Sequence, residues 1–173
     1  MADSGAIVFT DIVGFTELTD THGDDVALAL LERQEALIGE LLPECARVVK
    51  ELGDGLLLWC DDPRSAMSMC LELQRRLELD ADDPLPLWVR VGMHWGCPRR
   101  RGSDIIGRDV NLAARIVDLA GPGEVLCSEA TADAVGRLDG VDYEPLGPVL
   151  VRGFAEPVPL VRAVVTAGVP GGC

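Results

Sequence analysis

The chain has 173 residues, 48% of them hydrophobic, and its 29 acidic side chains outnumber its 15 basic ones to give a formal net charge of −14. This excess of negative charge argues against binding to nucleic acid or to an anionic membrane, both of which need a basic surface. A small phosphorylated ligand stays compatible with the composition, provided that metal ions and a few local cations offset the charge.

The length and the hydrophobic content predict a single domain over residues 1–173, with a core at about 5–166. No signal peptide begins at Met1, and no apolar run is long enough to cross a bilayer, so we expect a cytoplasmic protein without membrane contact. The six cysteines form no C-x-x-C pair, which disfavours a zinc site and is typical of reduced thiols. The sequence is also compatible with being one part of a longer protein.

The first half of the chain contains a predicted strand, a helix and a hairpin. AIVFTD (residues 6–11) predicts a strand buried on both faces, because its apolar run hardly alternates. Apolar residues recur at helical spacing from residue 24 to about 42, and Pro43 ends the pattern. ARVVKEL and LLLWC flank the break GDG (residues 53–55), which predicts a β-hairpin.

The second half alternates between helices and strands. A helix is predicted over 63–79, with Pro63 in its first turn, and a strand over 85–96. We expect the three arginines at 99–101 to lie in a solvated loop and the final GVPGGC to fray. The remaining predicted elements are a helix at 109–120 closed by GPG, a strand at 124–128, a helix at 129–137, and two or three strands between 141 and 165.

This order of elements defines the expected fold class. It reads βαββαβ with additional strands and helices, which predicts an α+β fold with a ferredoxin-like core. We expect a mainly antiparallel sheet with the helices packed on one of its faces.

Two aspartates lie at the ends of predicted strands. Asp11 ends the first strand and Asp54 lies in the hairpin turn, so pairing of these strands brings both carboxylates to one edge of the sheet. Beside a glycine-containing loop with free backbone N–H groups, such a pair could hold Mg²⁺ or Mn²⁺ and a polyphosphate. The alternative is that Asp54 only tolerates a left-handed turn and Asp11 caps the next helix.

Polar side chains on one predicted helix form a second candidate site. Asn111 and Arg115 are four residues apart and project from one face, while apolar residues cover the other. An amide and a guanidinium on one face could orient a sugar and neutralise a phosphate. The alternative is a solvated face on which Arg115 pairs with Asp118.

The other polar residues indicate little by themselves. Lys50 ends an apolar strand four residues before Asp54, as charged residues commonly do. His22 and His94 are the only histidines, and neither has a Ser or Cys nearby in a catalytic pattern. A hydrolase triad therefore has no support.

Three motifs occur in a fixed order along the chain: FTDIVGFT, VVKELGDG and IIGRDVNLAARI. Together they resemble the catalytic domain of class III nucleotide cyclases, the adenylyl and guanylyl cyclase family. VRVGMHWG, LAGPGEVLCSE and VRGF also look like the family, so the resemblance covers nearly the whole chain. It implies the class III cyclase fold and an adenylyl cyclase of the bacterial kind, which converts ATP to 3′,5′-cyclic AMP and pyrophosphate.

The resemblance also implies residue roles. Asp11, the backbone of Ile12 and Asp54 hold two divalent ions, Mg²⁺ or Mn²⁺. Asn111 positions the ribose, and Arg115 stabilises the reacting phosphate. The triphosphate is covered by the backbone of five consecutive residues, Ile12, Val13, Gly14, Phe15 and Thr16.

Lys50 and Asp104 match the pair that reads the purine, and they favour adenine. A lysine can donate to ring N1 of adenine and a carboxylate can accept from its exocyclic amine, whereas guanine reverses that pattern. Guanylyl cyclases of the family typically carry Glu and Cys at these places, so ATP is the expected substrate. Arg152 falls where the family usually has a lysine that contacts the terminal phosphates, and a guanidinium binds phosphate as a fork.

The resemblance further implies a homodimer with two active sites at its interface. In this family the metal-binding acids face the purine, ribose and phosphate residues of a second subunit, and this chain carries both sets. The alternatives are a guanylyl cyclase and a catalytically silent nucleotide-binding domain. A diguanylate-forming domain is disfavoured because GGDEF is absent.

Overall fold

The computed structural model describes residues 3–166, which form nine strands and five helices. The strands are β1 (Gly5–Ile12), β2 (Ala46–Leu52), β3 (Gly55–Cys60), β4 (Val89–Gly96), β5 (Arg99–Arg101), β6 (Asp104–Ile106), β7 (Val125–Ser128), β8 (Val141–Val149) and β9 (Val158–Val165). The helices are α1 (Phe15–His22), α2 (Asp24–Leu41), α3 (Pro63–Leu79), α4 (Arg108–Leu119) and α5 (Glu129–Val135).

Seven strands form one sheet in the order β2-β3-β1-β4-β7-β9-β8, and β5 pairs with β6 in a separate hairpin. Neighbours in the large sheet are antiparallel except β4 and β7, which are parallel. The order β2-β3-β1-β4 is that of a ferredoxin-like core. The predicted α+β fold is therefore confirmed.

Different helices cover the two faces of the sheet. Ala6 and Val8 of β1 face the main core, which α2, α3 and α5 complete. Ile7 and Phe9 point to the opposite face and belong to a second cluster with apolar residues of α4. The prediction that the helices lie on one face is therefore wrong for α4. A strand buried on both faces, as β1 is, needs a cover on each side.

Helix α1 was not predicted from the sequence. None of its eight residues is buried, so no apolar period marks it. Gly14, with a left-handed backbone (φ 68°), turns the chain out of β1, and the Leu18 N–H donates to the Gly14 carbonyl at 2.9 Å. A glycine suits this position because other residues adopt such a φ only with strain.

Arg99–Arg101 form strand β5 and not the predicted solvated loop, although all three side chains are exposed. The guanidinium of Arg100 lies 5.5 Å from the centroid of the Trp59 ring, a cation–π distance. Three consecutive charged residues show no alternation, so the sequence carried no strand signal here.

Most other boundaries agree with the predictions. α3 matches 63–79, and α2 ends one residue before the expected limit. β4 begins at Val89 and not at 85, since Pro86 lacks the N–H that a strand would use. α5 ends at Val135, before Gly136, and the tail contains two strands.

Some features of the sequence fall outside the structure. GVPGGC and with it Cys173 lie beyond the described residues. Within residues 3–166, no helix has the length and apolarity needed to cross a membrane. The five cysteines of that part form no disulfide bond, and three of them are buried: Cys60, Cys70 and Cys127.

Gly92 of β4 lies where α4 packs against the sheet, and a Cβ there would meet the backbone nitrogen of Val117. We predict that Gly92→Ala lowers the free energy of unfolding by about 1–3 kcal/mol, since a helix backbone must shift to admit the methyl group. The thermal midpoint should fall by about 2–10 °C. Differential scanning calorimetry measures both quantities.

Gly39 on the exposed side of α2 supplies the control, because a Cβ there meets nothing within 4 Å. Gly39→Ala should leave the stability unchanged or raise it by about 0.5–1 kcal/mol. Equal midpoints for the two variants would show that α4 is not closely packed at Gly92.

Candidate active site

A cleft of about 860 Å³ lies on the α4 face of the sheet, between β1, α4 and the turn after β8. Its charged lining consists of four arginines and two aspartates: Arg90, Arg108, Arg115, Arg152, Asp11 and Asp118. The cleft is therefore locally cationic in a protein whose formal net charge is −14. A pocket of this kind attracts anions despite the overall charge.

The acidic pair lies at the edge of this cleft. β1 and β3 pair so that Asp11 is opposite Gly55, the residue after Asp54, and the Ile12 N–H donates to the Asp54 carbonyl at 3.3 Å. Burial and the negative charge of Asp11 raise the pKa of the Asp54 carboxyl above its usual value. The two carboxylates are therefore close enough to repel each other, as the strand pairing predicted.

The alternative roles of these aspartates do not apply. Gly53 takes the left-handed position of the turn, with φ at 68°, so Asp54 is not there to tolerate that conformation. The residue at the start of α1 is Gly14, and no side chain caps that helix end. The Asp11 carboxylate instead accepts from the Arg90 guanidinium.

Arg90 is a site residue that the sequence did not identify. Its Nε donates to Asp11 Oδ2 at 2.7 Å, and its Nη1 donates to the Asp118 carbonyl at 3.2 Å. Arg90 lies between Val89 and Val91, which are fully buried in β4. A single arginine inside an apolar strand is the signal that could have found it, because a charge there needs a partner. It offsets the charge of Asp11.

The backbone between β1 and α1 contains the five residues predicted to cover phosphates. The N–H groups of Ile12 and Val13 are engaged within the protein, Val13 donating to the Trp88 carbonyl at 2.8 Å. The N–H groups of Phe15 and Thr16 belong to the first turn of α1, where no helical partner is available. Helix N-termini of this kind favour anions, and within this segment residues 14–16 are the ones whose N–H groups are not already engaged by the protein.

Asn111 and Arg115 of α4 are both exposed and both line the cleft. The opposite side of α4 is buried through Val110, Ala113 and Val117, as the helical spacing predicted. Arg115 also donates to Asp118 at 3.3 Å, which is the pairing that the alternative reading expected. This pair is exposed and weak, so it leaves the guanidinium available to a ligand.

A turn after β8 brings a further arginine to the cleft. The Phe154 N–H donates to the carbonyl of the buried Val151 at 3.0 Å, and the turn exposes Arg152. Arg108, which the sequence did not single out, lies with its guanidinium 4.9 Å from the centroid of the Phe154 ring. The ring thus holds a second cation beside Arg152.

Lys50 and Asp104 meet each other but do not line this cleft. Lys50 Nζ lies 2.7 Å from Asp104 Oδ2, and this hydrogen bond lowers the pKa of the Asp104 carboxyl. Both side chains are part-exposed, at 40% and 34%. The two residues predicted to read a purine therefore form one unit, separate from the residues predicted to bind its phosphates.

The structure also places a serine and an aspartate beside His94. His94 Nδ1 lies 2.7 Å from Ser128 Oγ, and its Nε2 lies 3.6 Å from Asp109. Ser128 is only 2% exposed and caps α5 through the Thr131 N–H. Burial lowers the pKa of His94. This network joins β4, β7 and α4. The Ser128 hydroxyl is too buried to act as a nucleophile.

A family model described as the adenylate and guanylate cyclase catalytic domain matches residues 1–162. The chain is 30% identical, over 159 residues, to a pH-sensitive adenylate cyclase of Mycobacterium tuberculosis (strain CDC 1551 / Oshkosh), covering 90% of this chain and 39% of that protein. It is 34% identical, over 152 residues, to an adenylate cyclase of Glutamicibacter nicotianae, covering 87% and 37%. The chain thus spans about two fifths of the length of these relatives.

The fold is similar to a solved structure of adenylate cyclases from Trypanosoma brucei in their monomeric state. The TM-score is 0.82 at 25% sequence identity, and the match covers 93% of this chain and 89% of that one.

Asp54→Asn removes one of two neighbouring negative charges and keeps the side-chain shape. A carboxyl whose pKa is raised on folding opposes the fold when it is ionised, and this cost disappears as the pH falls below its unfolded pKa. Without divalent cations, we predict a thermal midpoint about 1–2 °C above that of the unsubstituted protein at pH 7, a small effect because the carboxyl is part-exposed.

The measurement is calorimetry at pH 7 and at pH 3, where the two midpoints should converge. A lower midpoint for Asp54→Asn at pH 7 would mean that the two carboxylates do not repel each other in the folded protein.

Proposed function

The chain belongs to the family of adenylate and guanylate cyclase catalytic domains, and we propose that it converts ATP to 3′,5′-cyclic AMP and pyrophosphate. The observation that carries the proposal is the acidic pair at the edge of a cationic cleft. Asp11 and Asp54 suit divalent cations, while the arginines of the cleft suit a triphosphate.

The family generally depends on divalent metal ions, and we propose two ions per site, Mg²⁺ or Mn²⁺. The donors are the carboxylates of Asp11 and Asp54 and the backbone of Ile12, all hard oxygen ligands. Residues 3–166 contain no group of three or more acidic, histidine or cysteine side chains placed to hold a metal ion, so water and substrate phosphates would supply the remaining ligands. When bound, the ions supply Lewis acidity to the ribose 3′-hydroxyl and the triphosphate.

The reaction is an attack within one molecule. The bond from the 3′-oxygen to the α-phosphorus forms, the bond from that phosphorus to the pyrophosphate oxygen breaks, and the hydroxyl proton leaves to Asp11 or to water. Asn111 hydrogen-bonds the ribose and orients the attacking oxygen. Arg115 donates to the α-phosphate oxygens where charge grows, and Arg152 holds the terminal phosphates with its guanidinium fork.

ATP is the proposed substrate because of the Lys50–Asp104 pair. The lysine supplies a donor to ring N1 of adenine and the carboxylate accepts from its exocyclic amine. Their mutual contact of 2.7 Å orients both groups before the base arrives. Guanine would set its carbonyl against a carboxylate, and a mismatch of two acceptors is costly.

We propose further that two copies of the chain share each site. The Lys50–Asp104 unit does not line the cleft that holds Asp11, Asn111 and Arg115, which supports a substrate that bridges two copies. Apolar residues near that unit, Leu52 at 42% and Ile106 at 40%, are exposed and suit a protein interface. A two-fold dimer would form two equivalent sites.

The direct test is incubation of the protein with ATP or GTP and Mg²⁺ or Mn²⁺, with products separated by liquid chromatography. We predict cyclic AMP and pyrophosphate from ATP and little product from GTP. Arg115→Ala should reduce turnover by about a hundredfold to a thousandfold, since it removes a donor to the reacting phosphate.

Each other outcome has a definite meaning. A preference for GTP would contradict the roles of Lys50 and Asp104 but keep the cyclase activity. Binding of both nucleotides without any cyclic product would favour a catalytically silent domain.

Mixing of inactive variants tests the shared site. Asp11→Ala and the double variant Lys50→Ala/Asp104→Ala should each be nearly inactive, yet mixed in equal amounts they should regain about a quarter of the original activity, because the Lys50–Asp104 unit lies outside the cleft that holds Asp11. Random pairing makes half of the dimers contain one copy of each variant. In each such dimer one of the two sites carries neither substitution, which gives a quarter of the original number of sites. Asp11→Ala mixed with Asp54→Ala is the matched control, because every site then lacks one acid. Equal recovery in both mixtures, or none in either, would contradict shared sites.

A further inference from the structure

A polar residue interrupts the apolar stripe by which α2 faces the core. Leu30, Gln34 and Ile38 follow one another at four-residue spacing, and all three are buried, Gln34 to 1% exposure. An amide in such a place costs about 1–3 kcal/mol if its hydrogen bonds are not made. A leucine or methionine would fill the stripe without that cost, so the role of Gln34 lies in its hydrogen bonds.

Both ends of the Gln34 amide are bonded, and both bonds lead to the strands that carry the acidic pair. Its Oε1 accepts from the Thr10 hydroxyl at 3.1 Å, and its Nε2 donates to the Asp54 carbonyl at 3.1 Å. The Thr10 hydroxyl in turn accepts from the Leu56 N–H at 3.2 Å. One buried relay thus joins α2, β1 and both sides of the turn at Asp54.

The relay lies behind the acidic pair. Thr10 precedes Asp11 in β1, so its side chain points to the α2 face of the sheet while Asp11 points to the cleft. Thr10 is only 2% exposed, and its hydroxyl is engaged by Gln34 and by the Leu56 N–H. The contacts of the relay with Asp54 are to its backbone, which leaves its carboxylate unengaged by them.

The turn needs such support. Gly53 and Gly55 flank Asp54, and glycines give a chain more freedom than other residues. The carboxylate that this turn presents is repelled by Asp11 when no cation is bound. The Asp54 carbonyl accepts from two donors, Gln34 and the Ile12 N–H at 3.3 Å, and these oppose a displacement of the turn.

We propose that Thr10 and Gln34 are positioning residues, which clamp the backbone of the Asp54 turn from behind and thereby set the spacing of the two carboxylates for divalent cations. The effect on cation binding rests on the proposed function. The clamp itself rests only on the hydrogen bonds of Thr10 and Gln34. Neither side chain touches the substrate.

Three variants test the clamp in the metal-free protein. Gln34→Met and Thr10→Val keep the side-chain volume but remove the hydrogen bonds, while Thr10→Ser keeps the hydroxyl. Amide hydrogen exchange of Ile12 and Leu56 should become about tenfold faster in the first two variants and stay unchanged in Thr10→Ser. Ile38→Val, which shortens a neighbouring residue of the same stripe without touching the turn, should not change it either.

Cation binding is the second readout. Titration of the nucleotide-free protein with Mn²⁺, followed by electron paramagnetic resonance, should show affinity about tenfold weaker in Gln34→Met and Thr10→Val, as is typical when residues behind metal ligands are lost. Cyclase activity of these variants should recover at high Mn²⁺ with kcat near its original value. Thr10→Ser and Ile38→Val should bind Mn²⁺ as the unsubstituted protein does.

The outcomes separate the clamp from the function. Unchanged exchange at Ile12 and Leu56 in Gln34→Met would overturn the clamp. Faster exchange with unchanged Mn²⁺ affinity would overturn the role of the clamp in cation binding. A loss of affinity in Ile38→Val as large as that in Gln34→Met would overturn it too. If the unsubstituted protein itself bound no Mn²⁺ while exchange responded as expected, the clamp would be supported and the proposed metal site would be wrong.

Discussion

The arrangement of the site depends on the antiparallel pairing of β1 with β3. Through it Asp11 lies opposite Gly55, and two carboxylates come close although their repulsion opposes this. Hydrogen bonds across the strands and the apolar core on both faces of β1 hold the pairing. The energy of the fold thus maintains a charge arrangement that is unfavourable by itself, which is common where a ligand supplies the missing charge.

The second constraint is the close contact of α4 with the sheet. Gly92 and Gly96 of β4 have no room for a Cβ against α4, so this helix lies nearer the strands than any larger residue would allow. Its outer face then brings Asn111 and Arg115 to the same cleft as Asp11. Two glycines without chemistry of their own therefore decide where the polar side chains of α4 lie.

The charge that lines the cleft is opposite in sign to the net charge of the protein. Most of the acidic residues lie outside the cleft, while arginines from β4, α4 and the turn at Arg152 converge on this one concave region. Water screens dispersed charges more strongly than charges grouped in a cleft. Net charge therefore argues against extended anionic partners such as nucleic acid, but it does not describe the charge of the site itself.

The fold could be predicted from the sequence wherever the apolar pattern was strong. The hairpin around Asp54, the strand ending at Asp11 and helices α2 and α3 were found almost to the residue, because periodic burial marks them. Helix α1 and the Arg99–Arg101 strand were missed since neither buries a regular set of side chains. The prediction that α4 lies on the same face as the other helices was also wrong. An amphipathic pattern shows which side of a helix is buried, but not which face of the sheet buries it.

For the site, the sequence by itself determined the residue types and their motifs, and hence the acids, the Asn111–Arg115 face and the family resemblance. Only the tertiary structure decided which groups meet across the chain: Arg90 with Asp11, Lys50 with Asp104, and Gln34 with the Asp54 turn. These contacts join residues 20 to 79 positions apart. Local patterns carry no information on such partners, since the partners are chosen by sheet order and by the packing of helices on it.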